Sequence, residues 1–357
     1  MTGEFTGVPR DVAIVACAQS GHRRRTDELS EVEMLMPVLH EVLERTGLTT
    51  ADIGFTCSGS SDYLAGRAFS FTMALDGVGA WPPISESHVE MDGAWALYEA
   101  WVKLLTGDAD TALVYAYGKS SPGSVRDVLT RQLDPYYVAP LWPDSVALAA
   151  LQAQALLDAG HTDEPALAAV AARSRDAAAD NAHAQLRGAR PQGEYVVRPL
   201  RTGDCPPIGD GAVAVVLAAG DRARALCARP AWIRGMDHRV EAHSLGVRDL
   251  TDSPSTRLAA ERAGAFVRPV DTAELHAPFT SQEVVLRRAL RLDDGVLVNP
   301  SGGALAANPV MAAGLIRVAE AADRVHRGAS DRALAHATSG PCLQQNLVAV
   351  LEGESRA

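Results

Sequence analysis

Polar side chains at the predicted starts of two helices are the first candidates for chemistry in this sequence. Asn308 precedes Pro309 in NPSGGALAANPVMAAGLIRVAEAADRV, where an apolar strand and a Gly-Gly turn lead into a long helical pattern. Asn is a strong helix cap and Pro suits the first helical position. Capping is therefore one interpretation of Asn308, although its amide can also donate a hydrogen bond to a ligand carbonyl. Glu90 and Asp92 precede another predicted helix, either as acid–base groups or as carboxylates favoured by the helix dipole.

Histidine and cysteine supply the remaining candidate groups. His276 and His336 are two of ten histidines, so their residue type alone leaves them as ordinary core or surface residues. The five cysteines are widely scattered, with no CxxC spacing. Such usage predicts reduced thiols and neither a disulfide framework nor a zinc site. At positions such as Cys57, Cys205 and Cys342, cysteine is more often a small buried apolar residue than a nucleophile.

The bulk composition excludes several function classes. The chain has 357 residues, a formal net charge of -11 and 47% hydrophobic residues, which suits two ordinary domains or one large duplicated domain. The acidic balance argues against general binding to nucleic acid or to anionic membranes. The stretch MTGEFTGVPRD has no apolar signal core, and no apolar run approaches a membrane span. We therefore expect a cytoplasmic protein.

Strands and helices alternate along the chain. Residues 11–20, 111–118 and 211–218 are predicted as buried strands, and residues 92–107 as a helix. Residues 30–47 are predicted as an amphipathic helix, with Ser30 as its N-cap and Gly47 as its C-cap. Residues 119–208 form a different region of loop, helix and loop. This alternation predicts an α/β fold with mostly parallel strands.

An internal repeat relates the two halves of the sequence. DGAWALYEAWVKLLTGDADTALVYAYG in the first half is a helix, a glycine, an acidic link and a strand. NPVMAAGLIRVAEAADRVHRGASDRALAHATSG in the second half has the same order of elements. Two copies of one unit at corresponding places indicate a duplicated fold.

Several motifs together resemble those of the thiolase superfamily, in particular its sterol-carrier-protein thiolase and lipid-transfer-protein branch. The motifs are NPSGGALAANPVMAAG, GDGAVAVVLA, AELHAPFTSQE, HATSGP and VEMDGAWAL, and the resemblance covers nearly the whole chain. It implies an α/β fold of five layers, αβαβα, built from two similar mixed-sheet halves. We place these halves at residues 1–220, including the region 119–208, and at residues 221–357.

The sequence departs from the family pattern at the positions that carry the reaction. Counting back from Gly93, the position of the nucleophilic cysteine is held by Glu90, and residues 84–97 contain no cysteine. Asn308 stands where the family has a histidine, and His336 where it has a second cysteine. His276 matches the histidine of the branch's His-Asp-Cys-Phe motif. In the family these positions face the reaction pocket, so Asn308 becomes a candidate oxyanion donor.

The resemblance implies a CoA thioester as substrate, with no resident cofactor and no metal. Without the cysteine, an acyl-enzyme on sulfur is excluded at the family position, which favours retro-aldol cleavage of a carbon–carbon bond. His276 or His336 would be the base, Asn308 a donor, and Asp92 and Glu90 further acid–base candidates. Similar proteins of the branch shorten steroid side chains together with a small OB-fold partner, and thiolases form dimers.

Two alternatives stay open. The chain is either an active aldolase or a catalytically silent subunit that pairs with an active homologue, as a homo- or heterodimer. A less favoured alternative is an acyltransferase that uses Cys342 or Cys57 as its nucleophile.

Overall fold

The computed structural model describes residues 10–66 and 68–354. The predicted absence of a signal core rests in part on residues 1–9, which lie outside the described residues. No helix in the described ranges is both long and apolar enough to cross a bilayer. In chain order the elements are β1 Val12–Gln19, α1 Glu31–Thr46, β2 Phe55–Gly59, α2 Asp62–Ala65, α3 Thr72–Val78, β3 Glu86–Val89, α4 Gly93–Leu105, β4 Thr111–Lys119, α5 Val125–Arg131, α6 Ser145–Asp158, α7 Glu164–Ala177, β5 Tyr195–Val197, β6 Leu200–Arg201, β7 Asp210–Ala219, α8 Gly220–Leu226, β8 Ala231–Val240, α9 Pro254–Arg262, β9 Thr272–Leu275, α10 Thr280–Ala289, β10 Leu297–Val298, α11 Gly303–Ala306, α12 Ala313–His326, β11 Arg332–Ser339 and β12 Gln345–Glu352.

Two half-sheets with the same strand order form the framework. The first runs β1-β7-β4-β2-β3 and the second β8-β12-β11-β9-β10, and a short β1–β8 pairing joins them. The strands β1 and β8 form the joint. The second strand from the joint in each half, β7 or β12, is antiparallel to both of its neighbours. The outer pairings, β4-β2-β3 and β11-β9-β10, are parallel. The sheets are therefore mixed, and the expectation of mostly parallel strands is wrong.

Five layers follow from how the helices cover these half-sheets. The central helices α4 and α12 share one apolar core with strands of both halves. The helices α1 and α3 pack on the outer face of the first half, and α9 and α10 on that of the second. Helix α12 is buried along most of its length, as a helix between two sheets must be. The predicted duplicated αβαβα arrangement with two mixed-sheet halves is confirmed.

Helix ends show where local sequence rules hold and where they fail. Ser30 caps α1 in a capping box with Glu33, and Gly47 ends the helix at φ 68°, as predicted. The helix predicted to begin at Pro309 instead begins at Ala313, after a turn closed by the bond from Ala312 N–H to Pro309 C=O. Asn308 is therefore not the cap of α12, and the capping interpretation is wrong.

The region between β4 and β7 is more helical than the sequence indicates. It forms α5, α6 and α7 and the two-stranded β5–β6 hairpin. Asp144 caps α6 by accepting a hydrogen bond from Ala147 N–H at 2.8 Å. Helix α6 packs Val146 and Ala149 against Phe279, which directly precedes α10. The region thereby forms one wall of a cavity over the second half-sheet.

Candidate active site

A cavity of about 570 Å³ opens at the carboxyl ends of β2, β3, β9 and β11, beside the segments that precede the central helices α4 and α12. Ligands of α/β sheets commonly bind at the carboxyl ends of parallel strands. The apolar wall comes largely from the β4–β7 region, and the polar floor from the segments before α4 and α12 and from the ends of β9 and β11. The wall includes Val125, Leu129, Leu133, Val146, Leu148, Ala149 and Phe279, and the floor includes Glu90, Asp92, His276, Asn308 and Thr338.

His276 and Asn308 form a hydrogen-bonded pair in this floor. The Nδ1 atom of His276 accepts a hydrogen bond from the Thr338 backbone N–H at 3.3 Å. Nδ1 is therefore unprotonated, and Nε2–H donates to Asn308 Oδ1 at 3.1 Å. This bond orients the amide of Asn308, whose NH₂ group has no hydrogen-bond partner among residues 10–66 and 68–354. The NH₂ group is left to bind an acceptor in the cavity.

The electrostatic setting of His276 keeps its ring neutral. Burial, followed by the neighbouring His336 and Arg317, lowers the pKa of His276 to about 3. The lone pair of Nδ1 is occupied and the pKa is low, so this ring is suited to donate a hydrogen bond and to orient Asn308. It is poorly suited to accept a proton from a substrate.

The loop that carries Asn308 is fixed from both halves of the molecule. A Cβ atom at Gly118 of β4 would lie 2.2 Å from the Val310 carbonyl oxygen, so only glycine allows this approach. On the other side Asn299 Oδ1 accepts a hydrogen bond from Leu275 N–H at 2.6 Å. Ser301 Oγ donates to Glu274 at 2.6 Å. The Gly-Gly turn between these anchors thus sets the position of Asn308.

Asp92 joins the starts of the two central helices. Its Oδ1 accepts hydrogen bonds from Ala94 N–H at 2.9 Å and Leu315 N–H at 3.0 Å, and its Oδ2 accepts one from Gly314 N–H at 2.8 Å. Burial outweighs these bonds and raises the pKa of Asp92 to about 6. Because its oxygens are occupied by backbone donors, the geometry favours a structural role over acid–base chemistry.

Glu90 is a carboxylate with open access to the cavity. It follows β3, and its side chain is 49% exposed. Its Oε1 accepts a hydrogen bond from the Asp62 backbone N–H at 2.7 Å, which fixes the side chain at the cavity floor.

The predicted placement of His336 in the pocket is wrong. His336 lies within β11, is fully buried and does not line the cavity. Its Nε2 shares a 3.0 Å hydrogen bond with Asn346 Oδ1, and its carbonyl accepts from His276 N–H. Burial lowers the pKa of His336 to about 4. Because successive side chains of a strand point to opposite faces, the side chain of His336 faces the core behind His276.

Two thiols line the cavity, but neither is set up as a thiolate. Burial raises the pKa of Cys342 to about 11 and that of Cys205 to about 12. The S–H group of Cys342 donates to Leu148 C=O, and that of Cys205 to Arg201 C=O, each at 3.4 Å. Cys57 lies inside β2 and away from the cavity, and burial raises its pKa to about 12. No motif in the sequence marks Cys205 as a cavity residue.

Three other residues of interest line the cavity. Tyr63 is 62% exposed and lines the cavity. Arg126 of α5 brings a guanidinium group, which pairs with Asp144 at 3.2 Å. Thr338, whose N–H orients His276, belongs to the HATSGP motif, but its residue type alone carries no signal for this role. Arg126 has no sequence signal either, because the fold of the β4–β7 region decides its position.

Comparison with known proteins gives sequence matches to about a third and to most of the chain, and structural matches to almost all of it. No family model matches the chain. It is 32% identical over 132 residues to the 3-oxoadipyl-CoA/3-oxo-5,6-dehydrosuberyl-CoA thiolase of Escherichia coli, and the match spans 36% of this chain and 32% of that protein. A 26% identical match over 347 residues covers 87% of this chain and 90% of the acetyl-CoA acetyltransferase of Methanothermobacter thermautotrophicus.

Two solved structures match over almost the whole chain. The structure of the Ltp2-ChsH2(DUF35) aldolase has a TM-score of 0.79 at 19% identity, and the match covers 98% of this chain and 100% of that chain. Human mitochondrial 3-ketoacyl-CoA thiolase has a TM-score of 0.77 at 16% identity, with the same coverage. The predicted thiolase fold is confirmed. The relatives and the structures together support a place in the thiolase superfamily.

Proposed function

We propose that the chain is a thiolase-fold enzyme that acts on a CoA thioester and cleaves a carbon–carbon bond by a retro-aldol reaction. The observation that carries this proposal is the Asn308 amide, which His276 orients at the floor of a largely apolar cavity and whose NH₂ group has no partner in the described part of the chain. The raised pKa values of all five thiols argue against a sulfur nucleophile. What remains is chemistry that uses the thioester carbonyl as an electron sink.

The reaction balances without a cofactor. A base takes the proton of the β-hydroxyl group, the O–H electrons form the new carbonyl, and the Cα–Cβ bond breaks. Its electron pair passes into the thioester enolate, whose oxygen would be held by the Asn308 N–H donors. The same proton then returns to Cα, which releases a ketone or aldehyde and a shortened acyl-CoA.

The names of similar proteins support the proposed substrate class and reaction. The sequence relatives are named as enzymes of acyl-CoA thioesters, and one structural neighbour is named as an aldolase. The name of that neighbour joins two components, which supports a partner protein for this chain as well, and we propose a small OB-fold protein in that role. We extend the proposal to lipid or steroid side-chain degradation, in the cytoplasm, with the thiolase-fold chain as a homo- or heterodimer.

The test is cleavage of β-hydroxyacyl-CoA thioesters by the purified protein, with carbonyl and acyl-CoA products measured by liquid chromatography and mass spectrometry. Asn308→Ala should lower kcat by about 100-fold or more, the size expected for loss of one oxyanion donor. Gln154→Ala removes an exposed amide of α6 outside the cavity and should leave the rate unchanged. Equal rates for the wild type and Asn308→Ala would contradict the proposal.

A silent subunit is the second candidate, because the ring of His276 is neutral and both its nitrogens are engaged. Affinity purification from the native host separates the two candidates. Recovery of an OB-fold protein favours the aldolase. Recovery of an equimolar thiolase homologue with an active-site cysteine, together with full activity of that complex after His276→Ala, favours the silent subunit.

A further inference from the structure

A second polar cluster, formed by Ser58, His88 and Glu90, lies beside the cavity. Ser58 of β2 and His88 of β3 are direct neighbours in the parallel pairing of these strands. Ser58 Oγ and His88 Nδ1 are 3.0 Å apart, which is a hydrogen-bond distance. The Nδ1 side of the ring is therefore held by the sheet itself.

The ring of His88 is also fixed in orientation. Phe71 stacks on it with ring centroids 4.6 Å apart and an interplanar angle of 13°. The side chain is only 13% exposed, and Nε2 is buried without a hydrogen-bond partner among the described residues. Nε2 lies 3.6 Å from Oε2 of Glu90. In the tautomer in which Ser58 Oγ donates to Nδ1, the proton of the ring is on Nε2, which faces this carboxylate at 3.6 Å without forming a hydrogen bond.

The other oxygen of Glu90 is fixed by a hydrogen bond. Its Oε1 accepts the hydrogen bond from Asp62 N–H at 2.7 Å. Asp62 is itself anchored, because its carboxylate accepts hydrogen bonds from Phe69 N–H at 2.8 Å and Ser70 N–H at 2.9 Å. Glu90 is thus fixed through Oε1, its Oε2 faces His88 Nε2, and about half of its side chain stays exposed where it lines the cavity.

We propose that Glu90 is the general base of this cavity and that Ser58 and His88 are its positioning residues. The arrangement is that of a proton acceptor oriented by a second group, which a third group fixes in turn. The inference rests on the proposed function. Glu90 takes the β-hydroxyl proton when the Cα–Cβ bond breaks and returns that proton to Cα of the enolate, so the carboxylate ends the cycle unchanged.

The charges around His88 agree with a neutral donor. The groups that face the ring are Ser58 from β2, Phe71 from the segment before α3, and the carboxylates of Asp62 and Glu90. Burial lowers the pKa of His88 and outweighs both carboxylates, which raise it. The lowered pKa keeps the ring of His88 neutral at neutral pH, and the tautomer with Ser58 donating to Nδ1 has its proton on Nε2, the atom that faces Glu90.

The experiment measures exchange of the Cα protons of propionyl-CoA in D₂O by NMR, which is the final protonation step run in reverse. Binding of propionyl-CoA is measured in parallel by calorimetry. Glu90→Gln should slow exchange by about 100-fold or more, as for loss of a general base, with the dissociation constant within about threefold. Glu99→Gln, which removes an exposed carboxylate on α4 outside the cavity, should exchange as the wild type does.

Two substitutions of His88 separate positioning from packing. His88→Phe keeps the stacking on Phe71 but has no donor for Glu90, whereas His88→Gln keeps an N–H donor. We expect exchange to fall about tenfold in His88→Phe, with unchanged binding, and to recover to within about threefold in His88→Gln. If Glu90→Gln is unfolded by circular dichroism, Glu90→Ala is tested with added formate, which should restore exchange.

The outcomes are distinguishable. Exchange that persists in Glu90→Gln, or no formate rescue of a folded Glu90→Ala, overturns the role of Glu90 and leaves the proposed function standing. Equal rates for His88→Phe and His88→Gln overturn the positioning role of His88. A wild-type protein that neither exchanges propionyl-CoA nor cleaves any β-hydroxyacyl-CoA overturns the proposed function, and the inference with it.

Discussion

Asp92 offers the most direct test of how the two halves are held together at the cavity. Its buried carboxylate accepts backbone hydrogen bonds from Ala94 at the start of α4 and from Gly314 and Leu315 at the start of α12. The first N–H groups of a helix have no partner within the helix, so an outside acceptor must satisfy them. Asp92→Ala leaves three buried donors without an acceptor.

The magnitude follows from these three bonds. Loss of an N-cap or of a buried donor's partner costs about 1 kcal/mol each, so Asp92→Ala should lower the free energy of unfolding by about 3 kcal/mol. Asp163 is a matched control, because it is exposed and caps α7 by one bond from Ala166 N–H at 2.8 Å. Asp163→Ala should cost about 1 kcal/mol. At about 2 °C for each kcal/mol, the expected decreases in Tm are about 6 °C and about 2 °C.

The assay is thermal unfolding followed by far-UV circular dichroism at one protein concentration. Asp92→Ser keeps a good cap for α4 but is too short to reach Gly314 and Leu315, so its Tm should lie between those of the other two variants. If Asp92→Ala unfolds no earlier than Asp163→Ala, the bonds to α12 contribute nothing, and the view of Asp92 as a link between the halves is refuted.

Three further predictions concern the core, the Asn308 loop and the thiols. The folded pKa of His336 is about 4, below its ordinary 6.5, so the unfolded chain gains a proton first and stability is lost as the pH falls below 6.5. Between pH 7.5 and 5, the free energy of unfolding falls by about 2 kcal/mol because of this one histidine. Over the same pH change, the Tm of His336→Gln should therefore fall about 4 °C less than that of the wild type. Equal decreases would contradict the placement of His336 as a buried neutral histidine. Gly118→Ala places a methyl group against the Val310 carbonyl. It should lower Tm by about 2–6 °C and reduce the exchange of the Cα protons of propionyl-CoA. Gly123 has open space around it, so Gly123→Ala should change neither Tm nor exchange. Cys342→Ala should keep exchange and cleavage within about threefold of the wild type, because its thiol is not a thiolate; complete loss would restore the acyltransferase alternative.

Features that depend on neighbouring residues were predictable from the sequence. Ser30, Glu33 and Gly47 set the ends of α1 through hydrogen bonds within a few residues of the chain. The repeat of helix, glycine and strand placed α4 and α12 in corresponding positions, and the motifs indicated the layered fold. These predictions succeed because helix caps, turn glycines and apolar periodicity act locally.

Features that depend on distant residues required the tertiary structure. Asn308 follows the sequence rule for a helix cap, but Asp92, 222 residues before Gly314, holds the start of α12. Likewise His336 matches a motif position yet faces the core, while His88, which no motif marks, faces Glu90. Local sequence patterns predicted many of the elements, the duplication, and the lack of a cysteine at the family position before α4. Only packing of the two halves decided which polar groups reach the cavity, because their partners lie on strands and helices far apart in the chain.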